Sequence, residues 1–138
     1  MTEMQAATLV NWADFAKARS ELGADFIRII GYFREDGVKS IAAIEEAMRS
    51  RSAVALVRPA HTLKGESRQF GAEPLADMAE EIEVVARRCV EHQESPEELI
   101  PHVVELRKLF DQTLALFDRE TNPLVQRRQG FGKRQALG

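Results

Sequence analysis

Residues 61 to 72 read His-Thr-Leu-Lys-Gly-Glu-Ser-Arg-Gln-Phe-Gly-Ala. At 100° per residue, Lys64, Gly65 and Arg68 fall within about 60° of His61 on one helical face. Ala53, Leu56, Ala60, Leu63 and Phe70 recur at helical spacing on roughly the opposite side, so burying them turns His61 outward. The spacing predicts a helix over 53–70. Gly71 is placed to end it in a left-handed turn, with Pro74 in the first turn of the next helix. Pro59, two residues before His61, removes a backbone donor, and is expected to kink this helix or to mark its effective first turn.

Outward from this run, every regular segment reads as helix. Upstream, Asn11 is a candidate N-cap for a short helix carrying Trp12, Phe15 and Ala16 and closing near Gly23. Phe26, Ile30, Phe33, Ile41, Ile44 and Met48 keep a 3.6-residue period across about 24–50, with a bend expected at Gly37. Downstream, Leu75, Met78, Ala79, Ile82, Ala86 and Cys89 give an apolar series in a helix running to about 92. Ser95-Pro96-Glu97-Glu98 reads as a capping box that opens a last helix striped by Leu99, Val103, Leu106, Phe110, Leu114 and Phe117, with a kink expected at Pro101. Four long amphipathic helices with short connections predict an all-α antiparallel up-and-down four-helix bundle, with the first short helix as a lid.

The residues of the His61 face look like a phosphoryl-transfer site. Neutral imidazole is a nucleophile near neutral pH, and can accept a phosphoryl group on one nitrogen while the other keeps its proton. Lys64 first, and Arg68 second, are the cations expected to face the charge on the phosphoryl oxygens. A mid-helix glycine costs about 1 kcal/mol relative to alanine, so Gly65 points to a partner approaching the backbone. Val57, one turn before His61, is expected to be exposed and part of a docking patch.

Ala60-His61-Thr62-Leu63-Lys64-Gly65, followed by Ser67, Gly71-Ala72, Leu75 and Glu83, resembles the histidine phosphotransfer (HPt) domain of two-component phosphorelays. The resemblance spans roughly residues 8–118. It implies that His61 is the phosphorylated residue, shuttling phosphoryl groups between receiver-domain aspartates. It further implies that Lys64 steadies the group, that Gly65 gives the receiver room, and that Ser67 and Gly71 shape the helix and its turn. No cofactor is expected on this chain; magnesium belongs to the partner receiver. The function expected is a stand-alone phosphocarrier, reversible and without ATP-dependent kinase activity. A binding module that sequesters a receiver or helical partner is the alternative, with a metal-binding bundle third.

Composition agrees with one helical domain. The chain has 138 residues, 44% hydrophobic and 30% charged, with a net charge of -3. Five of the 19 basic but only one of the 22 acidic residues lie in 119–138, so that segment carries +4 and the rest -7. Residues 1–120 are therefore read as the domain and 121–138 as a basic flexible tail. Without a recognition helix or stacking aromatics, the tail predicts neither nucleic-acid nor membrane binding. No apolar run approaches 18 residues and no signal pattern opens the chain, so a cytoplasmic location is expected. The single cysteine, Cys89, excludes an internal disulfide and reads as core. Gly-rich phosphate loops and nucleophile elbows are missing. His92 and His102 lack metal-ligand spacing and read as surface residues. With no second apolar seam, a monomer is expected.

Overall fold

The structure is a computed structural model describing residues 2–122. The basic tail lies almost wholly outside the described residues. Among the described residues six α-helices follow one another: α1 (Glu3–Leu9), α2 (Trp12–Leu22), α3 (Phe26–Arg49), α4 (Ala53–Gln69), α5 (Glu73–His92) and α6 (Ile100–Thr121), with 3-10 turns at Gly23–Asp25 and Glu97–Leu99. Among the described residues there is no strand. The protein is thus an all-helical bundle. In it α4 packs against α3 and α5, and α6 closes the ring against the same two helices.

The apolar stripes meet as predicted. Phe33, Phe70, Phe110 and Phe117 are buried together, with ring centroids 5.5–6.1 Å apart where they touch. Phe15 of α2 joins them at 5.1 Å from Phe117. Truncating one such phenylalanine to alanine costs about 3–5 kcal/mol.

Local chemistry sets the breaks that hold α4 in place. The Ser52 side chain accepts from Ala55 N (3.2 Å) and caps the start. At the other end Gly71 takes φ +77°, as its sequence position predicts, and Ala72 N donates back to Ser67 O at 2.9 Å. A side chain at Gly71 would also strike Asn11, whose backbone oxygen lies 2.5 Å from an added Cβ. Asn11 N donates to Gly71 O (2.8 Å), while its side chain caps α2 by accepting from Ala13 N and Asp14 N. The two N-terminal helices are thereby tied to the turn after α4.

Four expectations change. First, α1 was not foreseen; a capping box between Thr2 and Gln5 opens it, and its Ala6 is buried. Second, α3 is one long helix, as its period predicts, but Gly37 has a packing role that the sequence did not signal: an added Cβ would lie 2.4 Å from Phe110 Cε2. Third, Ser95 does not cap the last helix. Starting α6 at Pro96 would place Pro101 in its interior, where the ring loses a donor and crowds the preceding turn. The chain instead makes a 3-10 turn and opens α6 at Ile100, with Pro101 in the first turn. Fourth, α4 already begins at Ala53, so Pro59 lies inside the helix and does not mark its first turn.

Candidate functional site at the α4–α5 seam

Burying Leu56, Ala60 and Leu63 puts His61 on the outer face of α4, with 61% of its side chain exposed. Its Nδ1 lies 2.9 Å from Oε2 of Glu83 on α5. Lys64 Nζ lies 2.7 Å from the other oxygen, Oε1. Arg87, one turn after Glu83, donates to Oε2 from Nη2 (2.8 Å) and Nε (3.1 Å). One carboxylate, only 6% exposed, therefore gathers a histidine, a lysine and an arginine.

Burial alone would push the Glu83 carboxyl up. Hydrogen bonds from Lys64, Arg87 and His61, together with the Lys64 charge, overcome this and bring it down to about 2. Glu83 is therefore an acceptor at any physiological pH. An ionised carboxylate facing Nδ1 requires that nitrogen to carry the proton in neutral His61, which leaves the lone pair on Nε2. The seam thus fixes which nitrogen of the neutral ring carries the proton.

Sequence reasoning gave Glu83 no role, yet it carried a signal. Ala79, Ile82 and Ala86 are core positions of α5, and Glu83 lies in their phase. A charge at a core position requires a partner. Arg87 went unremarked altogether.

The remaining expected residues divide. Arg68 is drawn along the seam to α5, with Nη2 2.8 Å from Glu80 Oε2 and Nη1 3.6 Å from Asp77 Oδ1. Gly65 is exposed, and an added Cβ would meet nothing within 4 Å, so no internal contact requires glycine there. Ser67 is fully buried, and its hydroxyl has no hydrogen-bond partner among the described residues. Val57 is half-buried against the core, not exposed as expected, because α5 covers one side of it. With Val54, Arg87, Val90 and Glu91 it lines a shallow groove beside the histidine. Val54 and Val90 are the exposed apolar residues here.

On the other flank of α4, Glu66 faces Asp36 of α3. Burial, the Asp36 charge and a hydrogen bond that protonated Glu66 donates to that residue push the Glu66 carboxyl up to about 7.

Among the described residues no three His, Cys, Asp or Glu side chains gather to hold a metal ion, and no helix is long and apolar enough to cross a membrane.

The structure thus belongs to the class of helical bundles that present an outward histidine held on a buried carboxylate. The family model described as "Hpt domain" matches residues 28–116, and the chain belongs to that family. Its members perform histidine phosphotransfer in phosphorelays and interact with response-regulator receiver domains. No curated protein and no solved structure matches the chain.

Proposed function

We propose that this chain is a phosphocarrier that acts on separate receiver domains, with His61 as the residue that takes up and passes on the phosphoryl group. The observation that carries the reading is the 2.9 Å contact of His61 Nδ1 with buried Glu83, which leaves Nε2 unprotonated on an exposed ring. The Nε2 lone pair forms a P–N bond while the P–O bond of a receiver's aspartyl phosphate breaks, and the aspartate leaves as a carboxylate. Nδ1 keeps its proton, so the ring becomes cationic as it accepts the group. Glu83 faces that new charge in a site already arranged to hold it. The reverse sequence returns the group to a second receiver.

Lys64 lends positive charge and holds Glu83 from its second oxygen. Gly65 leaves backbone open to the receiver, while Val57, with Val54 and Val90, offers an apolar edge for docking. Ser67 and Gly71 set the end of α4, and Arg68 pins α4 to α5 below the site. Magnesium and the reacting carboxylates come from the receiver. The short connections of α3, α4, α5 and α6 support an antiparallel up-and-down four-helix bundle, with α1 and α2 as its N-terminal cap. A cytoplasmic monomer is the form we expect to act.

The test is transfer of labelled phosphate from a phosphorylated receiver domain to the wild-type chain and to His61→Gln. Acid-labile, base-stable label on the wild type alone supports the carrier. Label on neither, with receiver binding intact, points to a module that sequesters receivers.

A further inference from the structure

Three cations project from α4, and two are already engaged. Lys64 is held on Glu83, and Arg68 on Glu80 and Asp77. On α5, Arg87 is also committed to Glu83. Arg58 differs: it is exposed, and among the described residues it has no hydrogen-bond or ion-pair partner. It precedes His61 by three residues, which places the two Cβ atoms about 5–6 Å apart on neighbouring turns. At 100° per residue, Arg58 and Gly65 flank His61 on the side away from α5, and Val57 and Lys64 on the side toward it.

Building on the phosphocarrier reading, we propose that Arg58 is the cation that pairs with the phosphoryl group on His61 Nε2. A phosphoryl group brings up to two negative charges and three acceptor oxygens to the exposed nitrogen. Lys64 and Arg87 stand on the Nδ1 side, where Glu83 already takes most of their charge. A guanidinium fork can meet two phosphoryl oxygens at once, and that of Arg58 breaks no existing ion pair to do so. Its flank is the one where bare Gly65 leaves space. The charged groups around the bound phosphoryl are then Arg58 and Lys64 from α4, and Glu83 and Arg87 from α5.

The test loads the full chain from phosphoramidate, whose P–N bond breaks to release ammonia as the bond from phosphorus to Nε2 forms. Phosphorus NMR then follows the second ionisation of the bound group. In Arg58→Gln that ionisation should rise by about 0.5 for loss of one nearby exposed charge. Arg58→Lys should restore part of the difference, and Arg68→Ala should titrate as wild type. If Arg58→Gln also titrates as wild type, or Arg68→Ala shifts as far, the role of Arg58 is overturned while the carrier stands. A wild-type chain that gives no phosphohistidine signal overturns the carrier reading and the Arg58 assignment together.

Discussion

Helix α4 has one carboxylate on each flank, Glu83 buried and Glu66 part-buried, and the two behave oppositely. Against α5, Glu83 receives hydrogen bonds from three cationic or donor side chains and stays ionised down to about pH 2. Against α3, Glu66 meets Asp36, another acid, and holds its proton up to about pH 7. Both lose hydration, and that alone would raise both. What separates them is the company each finds on the neighbouring helix. The flank that carries His61 keeps one negative charge in place, whereas on the other flank Glu66 holds its proton beside a second acid.

Removing the charge at Glu83 is the harshest way to break the contrast. Glu83→Ala strands Lys64 and Arg87 and should cost about 2–3 kcal/mol in urea denaturation. Glu83→Gln keeps the shape but offers no anion to the histidine ring. Phosphotransfer measured by label uptake should then fall roughly 100-fold.

Acid offers a gentler probe of the same charge. The folded carboxyl of Glu83 lies below its ordinary value of 4.5, so its contribution is present above that value and disappears as pH falls toward about 2. Thermal melts of wild type and Glu83→Gln should therefore converge across that window. Parallel curves would mean that the buried carboxylate adds no charge-dependent stability.

On the opposite flank the sign reverses. Glu66 is raised to about 7, so its protonated form favours the fold, and that support is lost as pH rises through 7. Glu66→Gln should raise Tm above pH 7 and leave it nearly unchanged near pH 4. The smallest effect belongs to Arg68→Ala, which removes exposed pairs with Glu80 and Asp77. A loss of about 0.2–1 kcal/mol is expected, shrinking as salt is added.

Much of this arrangement was legible in the sequence because it is periodic or local. The stripes of α3 to α6, the cap at Asn11 and the left-handed stop at Gly71 each follow from neighbours a few residues away. The outward direction of His61 followed from the stripe opposite it. What stayed hidden depends on helices meeting. Gly37 looked like a bend because its true constraint is a phenylalanine 73 positions later, on α6. The contact between His61 and Glu83 crosses 22 positions, and only the phase of α5 hinted at it. Helix α1 was missed because seven residues give too short a pattern. Arg68 shares the histidine's face by angle alone, but its long side chain follows the acids of α5.

Trp12 gives the N-terminal helices a property of their own. It is the single tryptophan of the chain, and its indole nitrogen donates to Ala6 O (3.2 Å) while its ring meets Phe15 edge-on at 5.1 Å. It therefore sits where α1 and α2 close over the aromatic core, on elements separate from the α4–α5 seam. The protein's intrinsic fluorescence is thus a built-in optical gauge of whether that N-terminal cap is seated.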